Sequence, residues 1–394
     1  MLALCLGAIW AGLVLYLLSR ALRQFAAHRM SALDVASRPA RLPAVSIIVP
    51  VRNEIDNIAI CLAGLKAQTG LAVGSSIIIV DDDSDDGTRS VAAREATPGS
   101  PVRLVTAGPL PEGWAGKPHA CWRGALLAKG DWLCFIDADV RTNPELVAAA
   151  AAAAEARGLD MMSLHPRQEL GSFWERVVIP TGMLVIGCAQ AMRKVRDWSA
   201  SEDNTNGQFL LIRRESYFKI GGHAAVRAKI CEDKALATRI KLAGFRFRVF
   251  TAEHLACTRM YRDFHSLWEG FSKNAAEILP SPEATLAAAA AALIAGWTAA
   301  LLPVATIETA LTDPSKATVS GAALAFFGSA IVVGIHIGTA RHLRIPSVFG
   351  LCMPLGYTMA ACLAWRSVLL HYNGRVTWKG RTYRLHREPS PHPS

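Results

Sequence analysis

A chain of 394 residues, 52% hydrophobic and only 19% charged, with a mean hydropathy of +0.25, is too apolar for an ordinary soluble enzyme and points to membrane segments. Its 42 basic and 32 acidic residues leave a formal net charge of +10. An anionic cytoplasmic membrane surface and a polyphosphate substrate explain that excess as well as nucleic acid does, and no nucleic-acid partner is expected. The nine cysteines are scattered without a C-x-x-C pair, several in apolar runs (Cys5, Cys352, Cys362), which favours reduced thiols acting as small hydrophobes over disulfides or zinc.

In chain order, residues 1–19 are apolar and uncharged, about the minimum for a membrane helix. A signal peptide is the alternative. Against it, no basic region precedes the apolar core, and basic residues follow it (Arg20, Arg23, His28, Arg29). Residues 20–42 form a basic linker expected to face the cytoplasm. From Pro43 the pattern changes to strands and helices in alternation. Val45 to Val51, Ser76 to Val80, Val102 to Thr106 and Trp132 to Ile136 read as strands; Ile55 to Gln68, Ser84 to Glu95 and Ala120 to Lys129 read as helical. This order predicts an α/β domain over 43–280, with a mostly parallel sheet and helices on both faces. The alanine-rich stretch Pro144 to Arg157 reads as helix propensity. Residues 173–192 carry Pro180 and Gly182 and read as an amphipathic segment in the membrane surface. Gly207 to Ile212 and Phe245 to Phe250 read as further strands, and Ile230 to Lys241 as a helix.

The C-terminal part, residues 286–370, holds apolar stretches for two or three spans, followed by a basic tail, 371–394. The charge rule places both Arg341-His342-Leu343-Arg344 and the tail in the cytoplasm, yet a single crossing between them forbids that. Either Pro346 to Trp365, with Pro354 and Gly356 at its middle, is a re-entrant hairpin, or the tail faces out.

The chemistry concentrates in acidic clusters at strand ends. Asp137 and Asp139 end an apolar run one residue apart, so a strand presents both on one face at its C-terminal tip. Ligands of open α/β sheets bind beyond those tips, and two close carboxylates call for a cation such as Mg2+ or Mn2+. A solvated acidic turn is the plain alternative. Asp81, Asp82, Asp83, Asp85 and Asp86 crowd another strand-to-helix turn, more acids than a helix cap needs. Glu232 and Asp233 open a helix, where a carboxylate could act as a general base. Lys117 sits in a glycine-rich loop that lacks the P-loop pattern; a phosphate or base contact and a plain surface lysine are equally open.

Taken in order, Val49-Pro50-Val51-Arg52-Asn53-Glu54, Val80-Asp81-Asp82 with Asp86-Gly87-Thr88, Asp137-Ala138-Asp139 and Glu232-Asp233 resemble an inverting glycosyltransferase of family 2 with the GT-A fold, over roughly residues 43 to 274. Residues 109–117 and 378–383 resemble its membrane-bound, lipid-acceptor branch: hopanoid-associated, carotenoid and ceramide glycosyltransferases. The resemblance implies that Pro50, Glu54 and Asp82 line the nucleoside pocket, and that Asp137 and Asp139 hold a divalent cation and the sugar-nucleotide diphosphate. It makes Asp233 the base and places Gly207, Gln208 and Glu232 on the acceptor side. Lys117 and Lys273 are the cations for the donor; Lys273 stands where the Gln-x-x-Arg-Trp box of processive synthases is replaced by Trp268-Glu269-Gly270-Phe271-Ser272-Lys273-Asn274.

The expected activity is transfer of one sugar from a nucleotide-diphosphate donor, by default a uridine diphosphate sugar, to a membrane-lipid hydroxyl, in a multi-pass inner-membrane protein with its catalytic domain in the cytoplasm. The alternatives are a processive polysaccharide synthase, which the missing box disfavours, and a non-catalytic nucleotide-binding membrane module.

Overall fold

The computed structural model describes residues 1–27, 31–34, 42–192, 200–279 and 281–384. His28, Arg29 and much of the basic linker, and Arg387 with the end of the tail, lie outside the described residues. The chain divides into two compact units: Met1–His28, Leu170–Arg196 and Tyr261–Asn373 form one, and Arg29–Glu169, Asp197–Met260 and Gly374–Ser394 the other.

The second unit is built on an eight-stranded sheet in the order Ser31–Ala32, Phe247–Thr251, Met161–His165, Phe209–Arg213, Trp132–Ile136, Val45–Val51, Ser76–Asp81, Val102–Thr106. All neighbours pair in parallel except Phe209–Arg213, which runs antiparallel to both of its own. The inner strands are apolar almost throughout because both faces of a parallel sheet are covered. Alternate side chains divide between two cores. Ile47, Val49, Ile77, Ile79, Trp132 and Ile136 meet Ile58, Leu62 and Leu65 of the helix Ile55–Lys66. Ile48, Ile78, Val80, Leu133 and Phe135 meet Ala120, Cys121, Leu236 and Ile240, which belong to the helices Gly116–Leu127 and Glu232–Leu242.

The alanine run is more than propensity. In the helix Leu146–Ala156 every residue from Leu146 to Ala154 is buried, and the small side chains let the helix lie close against its neighbours. A three-stranded sheet, Val140–Thr142, Ala256–Thr258 and Arg167–Gln168, follows directly on the Asp137–Asp139 turn. The strands Arg375–Trp378 and Arg381–Arg384 form an antiparallel hairpin.

The first unit is helical. Among the described residues, four of its helical stretches are long and apolar enough to cross a membrane: Leu2–Arg23, Pro282–Thr312, Lys316–His342 and Ser347–Tyr372. The last of these continues as one helix, Met353–Tyr372, through Pro354 and Gly356, so no hairpin forms there. Pro354 sits in the first turn, where proline is tolerated. Small residues bring two of the helices together: a side-chain carbon added at Gly7 would lie 2.2 Å from the carbonyl oxygen of Gly321. Nearby the indole N–H of Trp10 donates to Ser329 Oγ at 3.1 Å.

Gly130 marks a close approach inside the sheet unit, since a carbon added there would stand 2.6 Å from the Ser46 nitrogen and 2.8 Å from the Ala44 oxygen. Backbone cannot yield as a side-chain tip can. Gly130→Ala should therefore lower stability by about 1–3 kcal/mol, read as a drop of several degrees in the melting midpoint of the detergent-solubilised chain. Gly12→Ala, where nothing lies within 4 Å, is the control; equal midpoints for the two variants would contradict this packing.

Candidate active site

The site lies at the carboxyl ends of the central strands. The order reverses direction here: Val45–Val51 is flanked by Ser76–Asp81 on one side and Trp132–Ile136 on the other, the crevice in which open α/β sheets bind ligands. Each acidic cluster follows one of these strands. Glu54 begins the loop-to-helix turn after Val45–Val51, Asp81 ends the strand Ser76–Asp81 with Asp82 next, and Asp137 and Asp139 follow Trp132–Ile136.

Lys117 joins two of the clusters. Its ammonium lies 2.8 Å from Asp137 Oδ1 and 3.0 Å from Glu232 Oε1. Asp137 is further held by its backbone N–H, which donates to the Gln208 carbonyl at 3.2 Å. The ionic grouping explains the titration of its members. Burial pulls the Lys117 ammonium down, but Asp137 and then Glu232 outweigh it, so the lysine stays charged far above neutral pH. Burial opposes the charge on Glu232, but Lys117 and His223 hold it below the usual glutamate range.

Asp139 has no such partner. Burial first, then the charges of Asp137 and Glu54, push its carboxyl up to about 7, and its Oδ1 is buried without a hydrogen bond. Asp137 also titrates above its ordinary value through burial, with Lys117 opposing. An unpartnered buried carboxylate oxygen beside a second carboxylate is an arrangement that a hard cation relieves. Among the described residues, no three His, Cys, Asp or Glu side chains are grouped to hold a metal ion. The donor set thus suits a cation bound jointly by two aspartates and by oxygens of a ligand, rather than by a closed protein cage.

Asp233 stands beside this group, one residue from Glu232 at the start of the helix Glu232–Leu242. Burial and then the negative charge of Glu232 raise it to about 6. Its Oδ1 accepts the Lys234 N–H at 2.8 Å. Gly207 faces it closely: a side-chain carbon there would lie 3.2 Å from Asp233 Oδ2. Gln208 is buried; its Oε1 accepts from Asn206 Nδ2 at 3.0 Å and its Nε2 donates to Thr258 Oγ1 at 3.4 Å.

On the other side, Pro50 is paired with Val80 in the sheet register, which places it beside the Asp81–Asp82 turn. Both Asp81 oxygens and Asp82 Oδ1 are buried without hydrogen-bond partners. Asp82 Oδ2 and Glu54 Oε1 are engaged by residues that the sequence reading left without a role, Arg381 and Lys379, each at 2.5 Å. Glu54 Oε2 accepts from Asn57 Nδ2 at 2.8 Å, so both of its oxygens are committed.

Pro50, Glu54, Asp82, Lys117, Asp137, Asp139, Gly207, Gln208, Glu232 and Asp233 thus all belong to the sheet unit. Lys273 lies on the helix Phe264–Ile278, which belongs to the other unit.

The geometry agrees with comparisons to known proteins. The pattern of the family described as glycosyl transferase family 2 matches residues 46–233, the span from the first central strand to Asp233. A 4,4'-diaponeurosporenoate glycosyltransferase of Staphylococcus aureus (strain MRSA252) is 26% identical over 353 residues, covering 88% of this chain and 89% of that protein. Its counterpart in strain USA300 is 25% identical over 352 residues, with the same shares. Among solved structures, a mannosyltransferase from Pyrobaculum calidifontis, in complex with GDP-Man and Mn2+, superposes with a TM-score of 0.54 at 22% identity, covering 92% of this chain and 97% of that one. The ordered acidic motifs, the sheet that carries them and these likenesses converge: residues 46–233 match glycosyl transferase family 2, and the sheet that carries them has the GT-A fold.

Proposed function

We propose that the protein moves a single sugar from a nucleotide-diphosphate donor to a hydroxyl of a membrane-resident, carotenoid-type lipid, with inversion at the transferred carbon. The observation that carries the reading is the Lys117 bridge, which gathers Asp137, Glu232 and, beside it, Asp233 at one sheet rim. The S. aureus relatives are named for a carotenoid acid, which supports an extended apolar acceptor.

In this reading Asp137 and Asp139 hold a divalent cation, Mg2+ or Mn2+, with the donor diphosphate. The bound cation supplies positive charge against the diphosphate as it leaves. Lys117, already fixed between two acids, adds a second positive charge at the same place. Pro50 and the Asp81–Asp82 turn border the nucleoside. Asp233 accepts the proton of the acceptor hydroxyl while that oxygen bonds the sugar carbon on the face opposite the departing diphosphate; one bond forms as one breaks, and the configuration inverts. Gly207 leaves room for the acceptor beside Asp233, because any side chain there would press on the carboxylate.

The membrane arrangement follows from connectivity. Lys379 and Arg381 of the tail pair with Glu54 and Asp82, so the chain before Tyr261 and the chain after Asn373 share one side of a membrane. That demands an even number of crossings, yet the segment between them holds three apolar stretches. We assign Met353–Tyr372 as the one lying along the surface. Its Gly356 packs against Thr181 and Val177 of Phe173–Met192, and its Ser367 Oγ accepts the Ala276 N–H at 2.9 Å from Phe264–Ile278. Neither of those partner helices is among the candidate spans, while Tyr357 and Thr358 near the start of Met353–Tyr372 also meet Gly296 and Trp297 of the span Pro282–Thr312. The catalytic unit and the tail then share the cytoplasmic side of the inner membrane.

Two outcomes check the proposal. Asp233→Asn should lower transfer by about 10²–10⁴-fold while leaving donor binding in place. A base works only when ionised, so transfer by the unmodified protein should fall as the pH drops through about 6, the value to which Asp233 is raised. Full turnover by Asp233→Asn, or a rate flat from pH 5 to 8, would reject the assignment. For the topology, reporters Ser315→Cys, Arg344→Cys and Asn373→Cys in a cysteine-free chain are treated with an impermeant maleimide in intact cells. Position 315 should label, and 344 and 373 only after permeabilisation; labelling of 373 from outside would overturn the arrangement.

A further inference from the structure

The C-terminal hairpin enters the site through its turn. Lys379 and Gly380 both adopt left-handed backbone, with φ of 45° and 75°, so the chain reverses in two residues and Trp378 pairs with Arg381. The reversal aims two cations at the two acidic turns. The Lys379 ammonium donates to the carbonyls of Arg52 at 2.7 Å and Asn53 at 3.2 Å, and meets Glu54 Oε1. Arg381 meets Asp82 Oδ2 at 2.5 Å and Asp83 Oδ2 at 3.3 Å. Arg52 ties the two turns to the hairpin: its Nε donates to the Lys379 carbonyl, and its Nη1 donates to the carbonyls of Asp82 and Asp83.

These contacts exceed what docking a tail needs. Arg381 takes one oxygen of a buried carboxylate and leaves the other, Asp82 Oδ1, buried and without a partner. A carboxylate held at one oxygen in this way is oriented, with its other oxygen left to accept one more N–H. Without the guanidinium, Asp82 would lose the contact that fixes its orientation and would stand as a buried polar group without a partner. We propose that the hairpin turn is a wall of the nucleoside-diphosphate site. Arg381 acts as a positioning residue that holds Asp82 for the base or ribose of the donor, and Lys379 fixes the Arg52–Glu54 turn beside it. The inference rests on the glycosyltransferase reading above and names residues from beyond the matched domain as part of donor recognition.

The test uses the full-length protein in detergent, with UDP and GDP as separate calorimetric probes in the presence of Mn2+. Arg381→Ala should weaken binding of the preferred nucleotide at least tenfold, and Arg381→Lys should restore part of it. In turnover the loss should appear in the donor KM far more than in kcat. Arg375→Ala removes an equal charge from an exposed position of the same hairpin and should change neither. Arg381→Ala and Asp82→Asn should be non-additive, since each removes the same pair. Should the alanine variant fail to fold, Arg381→Lys carries the test, with weaker binding expected because a single ammonium cannot serve both Asp82 and Asp83. Wild-type-like affinity in both Arg381 variants overturns the inference and leaves the glycosyltransferase reading standing. An unmodified protein that binds neither UDP nor GDP sinks the reading itself, and the inference with it.

Discussion

Like charge crowded at one sheet edge is the constraint around which the molecule is arranged. Glu54, Asp82, Asp137, Asp139, Glu232 and Asp233 come from strand ends and helix starts spread over some 180 residues, and the parallel sheet delivers them to one rim. Left alone, such a set would neutralise itself by taking up protons. Among the described residues three cations are set against the rim: Lys117 between Asp137 and Glu232, Lys379 at Glu54 and Arg381 at Asp82. Asp139, which forms no ion pair among the described residues, is the acid pushed up to about 7 by burial and by the charges of Asp137 and Glu54.

The balance is uneven in a way that divides labour among the acids. Glu232 is held ionised by Lys117 and so contributes fixed negative charge. That charge is the second cause, after burial, of the raised pKa of Asp233. Two neighbouring carboxylates are thus shifted in opposite directions, because only Glu232 is in ion-pair contact with Lys117. Gly207 lies close against Asp233, where an added side-chain carbon would stand 3.2 Å from its Oδ2.

Much of this was legible in the sequence where local physics decides the outcome. Val45–Val51 and Val102–Thr106 were readable as short apolar runs bounded by turns, and Asp137 and Asp139 stood out because they end such a run. What escaped depends on distant partners. Met161–His165 carries serine and histidine beside its methionines, and its membership in the sheet comes from pairing with Phe247–Thr251 and Phe209–Arg213. The alanine helix looked like bare propensity because burial on every side cannot be seen in a run of identical small residues. Lys117 read equally as a surface lysine or a phosphate contact, and only the fold brings Glu232 to it from 115 positions away. The Arg381–Asp82 pair spans 299 positions, far beyond any periodicity.

The central claim is that the rim holds an activated sugar with its leaving diphosphate on one side and Asp233 on the other. The anomeric configuration of the product tests this most directly. Full-length protein in detergent would be incubated with a nucleotide-diphosphate sugar of known anomeric form, Mn2+ and a hydroxylated carotenoid, and the glycosylated lipid analysed by proton NMR. The account predicts one sugar per lipid, joined with the configuration opposite to that of the donor. A product that keeps the donor's configuration would contradict it, because a single displacement across this site cannot give one.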